Sequence, residues 1–401
     1  MDYGDSMDND RLSAVSAIAL HALLGGAPKF TQDILAGGFR SAREVFSFDR
    51  EHGGRFLEAF RRRAGVPDED ALFRKAEREY GRLGGEGCRF VSIFDACYPA
   101  LLRDCPDAPL LLYVRSVSSP EEVFQGTPGR GAGFPISVVG TRDMSPYGRH
   151  WCRETVRALA DTGATPTIVS GLAFGADICA HLAALEYGLP TIAVLPCGID
   201  CTYPRSHDAY ARRIASTPRC ALITDYPPGT MLHKSNFLRR NRIIAGLSRC
   251  TILVESRTRG GGMMTSRLAS GYGREVYAIP GRIDDMRSGG CNLLLAEKTA
   301  EPLISPRLLC TTLGLASEGH AARAGAATPP AALEGCSREE QTLASALLRA
   351  LREYPGADAE TLCTVTGQDF GPVSAMLTRL ESADIISSDL SGRCSLNLKN
   401  D

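Results

Sequence analysis

Residues 234–248, KSNFLRRNRIIAGLS, carry the clearest chemical signal in the chain. Lys234, Arg239, Arg240 and Arg242 fall within nine residues, with Phe237 and Asn241 among them and no acid. Cations with an aromatic ring at hand suit a phosphate backbone and a stacked base. The same string also reads as an exposed helix face with ordinary arginines, and the segment alone does not choose. An apolar run, Ile243-Ile244-Ala245-Gly246-Leu247, follows at once, and then a β-type run, residues 250–254. A basic helix start leading into a packed helix and a buried strand points to a site rather than a solvated tail.

The elements that must position this segment lie between residues 135 and 281. Strand-like runs occur at 136–139, 167–169, 191–195, 221–224, 251–254 and 275–279, with amphipathic stretches of helix length between them. Strands alternating with helices predict an α/β fold with a parallel, doubly wound sheet. The near-continuous apolar and β-branched filling of the strands predicts cover on both faces. The strand ends read Gly140-Thr141-Arg142, Ser170-Gly171, Pro196-Cys197-Gly198, Asp225-Tyr226-Pro227, Glu255-Ser256 and Pro280-Gly281-Arg282. In this architecture they meet at one edge, where ligands bind. Helix N-termini there offer free N–H groups to an anion. Gly140, Gly171 and Gly260-Gly261-Gly262 are expected to let backbone approach a ligand closely.

Four segments are expected: a helical domain at 1–82, the core at 83–306, a linker at 307–335 and a small domain at 336–401. In the first, Leu12, Val15, Ala19, Ala22 and Leu23 share one helical face, and Gly25-Gly26 breaks the helix. Helix, glycine hairpin, helix is the outline of a helix-hairpin-helix or SAM-like unit. Its hairpin carries only Lys29, which favours packing or interaction over DNA. Short β-type runs at 88–93 and 109–114 precede an expected exposed insertion at 118–134. The linker is rich in Ala, Gly and Pro. After it, Leu343, Leu347 and Leu351, then Leu362 and Val365, then Val373, Met376, Leu377 and Leu380 mark three helices. Ile385-Ile386 and alternating Cys394, Leu396 and Leu398 complete the pattern of a winged helix. The third helix offers Arg379 beside Glu381, a poor DNA reader, so a protein contact or a structural role is expected.

Composition excludes several classes. The chain has 401 residues, 44% hydrophobic and 23% charged, with net charge −1, so any anion binding must come from a local patch. The 14 cysteines are scattered without a C-x-x-C or a zinc-type cluster, which predicts reduced thiols in a cytoplasmic protein and no metal. The acidic start, MDYGDSMDND, lacks the basic region of a signal peptide, and residues 12–28 are too short and too broken for a membrane span. Gly140 is followed by no second glycine until Gly148, so G-x-G-x-x-G fails, and the P-loop pattern does not occur. No Ser/His/Asp or Cys/His set declares itself. His181 and Asp177 are expected to pack and to cap, and no catalytic residue or cofactor is predicted.

Taken together, the sheet motifs resemble the DNA-processing protein A (DprA/Smf) family over roughly residues 90–305. They are Tyr98-Pro99-Ala100-Leu101-Leu102, Val139-Gly140-Thr141-Arg142 with Ser145-Pro146-Tyr147-Gly148, and Ser170-Gly171-Leu172-Ala173. Gly198-Ile199-Asp200 with Tyr203-Pro204, then the run RNRIIAGLS from Arg240, and Ile279-Pro280-Gly281 complete the set. The resemblance implies a Rossmann-like core that binds single-stranded DNA. It also implies help in loading a RecA-type recombinase during recombination and natural transformation, without catalysis. By the same resemblance Arg142 holds DNA with Lys234 and Phe237, and Arg240-Asn241-Arg242 completes the pocket. A homodimer through residues 283–296 is implied too, with Leu293-Leu294-Leu295 as its apolar part, so that Leu294→Glu is expected to give a folded monomer.

Three departures from the family pattern stand out. Phe174 replaces a cation, so that a phosphate contact is lost or exchanged for stacking. Phe237-Leu238 replaces Phe-Pro, and Gly260-Gly261-Gly262-Met263-Met264-Thr265-Ser266 carries more glycine and fewer hydroxyls than its counterpart. Two rival readings are a Rossmann-type nucleotide phosphoribohydrolase using Glu255 and a protein-interaction scaffold without DNA affinity. The first has the wrong order, since such enzymes place the catalytic Glu after the glycine-rich loop.

Overall fold

Alternation along the central strands decides the layers. Ile136 and Val138, Ile168, and Ile252 pack into one apolar cluster, while their neighbours Val139, Val169 and Leu253 pack into another. A strand with apolar residues on both faces must be covered twice, and the helices do so.

The structure, a computed structural model, describes residues 3–25, 28–66, 68–85, 87–125, 134–315, 337–354, 356–383, 385–389 and 392–396. The described part opens with helices α1 (Tyr3–Leu24), α2 (Pro28–Ala36), α3 (Ala42–Glu51), α4 (Glu58–Ala64) and α5 (Glu69–Gly85). Then come β1 (Cys88–Ser92), α6 (Ala100–Arg103), β2 (Leu111–Arg115), α7 (Pro120–Gln125), β3 (Pro135–Val139), α8 (Pro146–Asp161) and β4 (Thr167–Ser170). The core continues with α9 (Ala176–Glu186), β5 (Thr191–Val194), α10 (Asp208–Ala215), β6 (Ala221–Thr224), α11 (Lys234–Leu247), β7 (Cys250–Leu253) and α12 (Gly261–Gly271). It ends with β8 (Glu275–Ala278), α13 (Gly289–Ala296), β9 (Glu301–Pro302) and α14 (Pro306–Thr312).

Among the described residues nine strands form one sheet in the order β1-β2-β6-β5-β4-β3-β7-β8-β9. From β6 to β9 all neighbours are parallel. Strands β1 and β2 add an antiparallel edge. The chain leaves β3 toward β4 on one side and returns to β7 on the other, so the topological switch lies between β3 and β7. That is where a crevice opens in such sheets.

Several expected boundaries move. Residues 1–320 form one compact unit, so no break between cores falls at residue 82. The reason is α1. Residues 15–20 of that helix are buried on every side, not along one stripe, because it sits among α3, α4, α5 and β2. His21 Nε2 bonds the Asp225 carbonyl (2.9 Å), fastening α1 to the end of β6. Within the expected insertion, 120–125 form α7; within the expected linker, α14 covers its start, and 316–336 lie outside the described residues. The glycine break falls at Gly25, in the left-handed region (φ 56°), while Gly26 and Ala27 lie outside the described residues.

The second unit holds α15 (Arg338–Glu353), α16 (Ala359–Thr366), α17 (Phe370–Ser382), β10 (Ile386–Ser388) and β11 (Cys394–Leu396). Ser337 and Glu340 close a capping box at the start of α15. The helices and the antiparallel hairpin bury Leu347, Leu351, Leu362, Val373, Leu377 and Leu380. Val365 is exposed instead, and Leu398 lies outside the described residues.

Helix α13 corrects the expectation placed on Leu294. Its side chain is fully buried in the main core, whereas Ile283 and Met286 stand out in solvent. Leu294→Glu would bury a charge and lose apolar contact, so it should cost at least the roughly 2–5 kcal/mol of a Leu→Ala cavity. Ile283→Glu should stay within about 0.5 kcal/mol of wild type. Urea unfolding followed by circular dichroism separates the two; equal midpoints would refute this placement.

Candidate nucleic-acid interface

Three loops meet at the switch point, and their glycines explain how closely. A Cβ on Gly140 would lie 2.8 Å from Ala176 Cβ and from the Glu255 carbonyl; one on Gly262 would lie 3.1 Å from Gly140 Cα. Thr141 N donates to the Glu255 carbonyl (2.7 Å), and Ala176 N donates to the Thr141 carbonyl (3.1 Å). The Gly140-Thr141-Arg142 turn is thus clamped between its neighbours, and Arg142 projects from a rigid base. At Gly140 and Gly262 the small residue serves contact between loops and not approach of a ligand. Gly171 is the same kind of case: a Cβ there would overlap the guanidinium of Arg240. Gly261 alone of this set is exposed with open space around its Cα.

Helix α11 sorts its cations by face. His233 caps it, accepting from Ser235 N at Nδ1 (3.3 Å). Lys234 at its first turn is exposed, and Phe237 is half-buried against Tyr203, ring centroids 5.3 Å apart. The Arg142 guanidinium lies over the Phe237 ring at 5.2 Å. Arg239 is exposed beside the Tyr226 ring at 5.9 Å. Arg240, Asn241 and Arg242 turn inward and are buried. So Arg142 and Phe237 meet at the open edge, Lys234 and Arg239 are exposed on the same helix, and the buried Arg-Asn-Arg run forms the wall behind.

The inward arginines have partners that explain them. Arg242 makes a buried ion pair with Asp225 and donates to the Asp107 carbonyl. Burial works against its charge, but Asp225 and Asp107 outweigh burial and raise its pKa. This corrects its place among the DNA contacts: Arg242 is buried and turns both of its Nη groups to the fold. Arg240 Nη1 donates to the Val194 carbonyl (2.9 Å), while its Nε has no partner among the described residues. Burial lowers the pKa of Arg240 and raises that of Asp177, each opposed by the other's charge.

The acids of this edge are all engaged. Ser145 donates to Glu255 from both N (2.9 Å) and Oγ. Gly229 N donates to Asp200 (2.9 Å), and Asp143 pairs with Arg287 (3.1 Å). Among the described residues Arg142 and Lys234 have no ion pair within 4 Å, nor do Arg257 and Arg259 on the loop after β7. The sequence marks those last two only by the adjacent glycines and by the lack of any acid from Arg257 until Glu275, a weaker signal than the cation cluster of α11. Gly260 precedes helix α12 as an N-cap without a side chain to offer, leaving amides unclaimed by a cap beside them.

His181 lies beneath the wall. Thr191 Oγ1 donates to the Ile168 carbonyl (2.8 Å), so His181 Nδ1–H must donate to that hydroxyl (2.7 Å). Its Nε2 is then a bare acceptor with no partner among the described residues. Burial, with Arg240 adding to it, pushes His181 down to about 3. Among the described residues no group of three or more His, Cys, Asp or Glu could hold a metal ion, and no helix is long and apolar enough to cross a membrane.

Two outcomes follow. Arg242→Ala leaves Asp225 buried and unpaired and should cost about 3–5 kcal/mol, whereas Arg142→Ala should stay within about 0.5 kcal/mol; thermal melts of both variants check this. The folded chain refuses a proton at His181 that the unfolded chain accepts near pH 6.5. Stability from this source is complete above that pH and falls as pH drops toward 3. His181→Phe should melt earlier at pH 7, for want of the Thr191 bond, yet lose less further stability between pH 6.5 and 4.

The family model for DNA recombination-mediator protein A matches residues 89–314. Protein Smf of Synechocystis sp. is 32% identical over 324 residues, 75% of this chain and 78% of that one. DNA processing protein DprA of Streptococcus pneumoniae is 38% identical over 207 residues, 51% of this chain and 68% of that one. The X-ray structure of DprA from Streptococcus pneumoniae matches with TM-score 0.57 at 29% identity, covering 74% of this chain and 97% of that one. In another relative, Protein Smf of Escherichia coli, the matched share of its length is 50%. The family match spans the sheet but for its first residue, and the edge just described, so the chain belongs to the DNA recombination-mediator protein A (DprA/Smf) family.

Proposed function

We propose that this chain binds single-stranded DNA across the β3–β7 edge and acts there as a recombination mediator that helps load a RecA-type recombinase, in DNA processing during natural transformation. One observation carries the DNA reading: exposed Arg142 lies over the half-buried Phe237 ring, Lys234 stands one helical turn before that ring, Arg257 and Arg259 stand exposed on the loop after β7, and none of these cations has an ion pair among the described residues. Positive charge without neutralisation attracts phosphate, and a supported ring accepts a splayed base better than a stiff duplex can supply one.

The remaining parts of the reading rest on the family. The helices before β1 act as a SAM or helix-hairpin-helix-like unit, although they share the main core. The C-terminal helices and hairpin act as a winged helix that contacts protein. A second copy pairs through residues 283–296, with the exposed Ile283 and Met286 as candidate contacts in place of Leu294. The chain works in the cytoplasm as a binding protein rather than an enzyme. Glu255, which a nucleotide phosphoribohydrolase would need free, spends both oxygens on Ser145. Free base released from nucleoside monophosphates would reverse that view.

Charged contacts are worth roughly 1.5–3 kcal/mol each. Arg142→Ala with Lys234→Ala should therefore weaken single-strand binding by about two orders of magnitude, with little change in melting temperature. The salt slope should fall by about 0.7 per lost phosphate contact. Equal affinity of wild type for single strand and duplex, or a flat salt response, would refute the reading. The mediator role predicts faster assembly of a RecA-type recombinase on strands coated by single-strand-binding protein; unchanged assembly would refute that part.

A further inference from the structure

We infer that Phe174 is a second base-stacking platform, separate from the Phe237 ring and on the other side of Arg142 in the chain of contacts. This rests on the single-stranded DNA reading and adds a subsite to it. Phe174 stands at the tip of the loop between β4 and α9, and 48% of its surface is exposed. One exposed ring is ordinary on a protein surface, so the case depends on how this one is held.

The loop that carries Phe174 is fastened at nearly every residue. Leu172 occupies the left-handed region (φ 58°) without being glycine, its side chain fully buried. Backbone of that kind persists only where its surroundings over-determine it, and it gathers at functional sites. The surroundings are His207, whose Nδ1 donates to the Leu172 carbonyl (2.9 Å), and Asp177, which accepts from Ala173 N (3.3 Å). The same His207 meets the Phe174 ring edge-on, centroids 4.7 Å apart at 70°, and Tyr210 stands behind it at 5.8 Å. One buried imidazole therefore locks both the backbone and the ring. A ring fixed in advance loses little freedom when a base settles on it.

Its neighbour ties the platform to the phosphate site. Gly175 (φ 73°) lies so close to the Thr141–Arg142 backbone that a Cβ would stand 2.8 Å from the Arg142 carbonyl carbon. Arg142 in turn reaches over Phe237. Arg142 thus touches one aromatic ring through its side chain and, through its backbone, the loop that carries a second, a connection that would let two neighbouring bases stack beside one held phosphate. Both rings are backed by a further aromatic, Tyr203 behind Phe237 and His207 behind Phe174. Stacking of this kind is tolerant of sequence, since every base has a π-face.

The test uses the full chain with two oligonucleotides of equal phosphate count, one of thymidines and one of abasic sites. Phe174→Ala should bind the thymidine strand about tenfold or more weakly. It should bind the abasic strand as wild type does and keep the wild-type salt slope. Phe174→Trp should restore the affinity, and its added indole fluorescence should be quenched by the thymidine strand alone. Phe174→Ala binding both strands like wild type, or losing both equally, overturns the platform while leaving the DNA reading intact. A wild-type chain that binds neither strand overturns both.

Discussion

The buried Arg242–Asp225 pair is the interaction on which the rest of this structure depends. Taking two charges out of water is costly, and the cost is offset only where geometry and further hydrogen bonds are good. Here Arg242 also donates to the Asp107 carbonyl, and the Asp225 carbonyl bonds His21 on α1. Four pieces of chain far apart in sequence meet at this one point: α1, the loop before β2, the end of β6, and α11. Their meeting sets how α11 lies against the strand ends, and so which of its side chains face out.

That orientation decides the electrostatics of the open edge. With Arg242 and Arg240 directed inward, Phe237 meets Arg142 and Lys234 is left exposed at the first turn. The acids that could have neutralised the edge are committed elsewhere, Asp225 to Arg242, Glu255 to Ser145, Asp143 to Arg287 and Asp200 to Gly229 N. The local positive character comes from the exposed cations of the strand-end loops and α11, with Asp225 and Asp143 offset by Arg242 and Arg287, since the chain as a whole carries a net charge of −1. The loops are then held by close contact. Gly140, Gly175 and Gly262 stand where no Cβ fits, so the cations of the edge rise from a base that has little freedom to shift.

The N-terminal helices join the same body. A helix as thoroughly apolar as α1 from Val15 to Leu20 cannot stand on a surface, and it finds cover between its neighbouring helices and β2. Its His21, pushed to lower pKa by burial, ends on the very residue that anchors α11. The segment before the sheet thereby contributes to the wall of the site.

Sequence alone determined the parallel sheet, its strands and the edge that carries the site, because strand periodicity and strand-end residues are local signals. Lys234 and Phe237 stood out by type and spacing, and Arg142 by the family resemblance; the structure adds that Arg142 lies over the Phe237 ring. The three buried residues Arg240, Asn241 and Arg242 were not separable from their exposed neighbours, since all lie on one short helix whose rotation is set by Asp225 and Asp107, residues distant in the chain. The glycines at 140, 171 and 262 looked like openings for a ligand, and only the folded loops reveal the atoms that fill them. Leu294 looked like surface because an apolar triplet has no inherent direction; packing against the core chose its side. The division follows from range: local pattern fixes the element and the residue types it carries, while the face each residue presents depends on contacts that only the tertiary structure brings together.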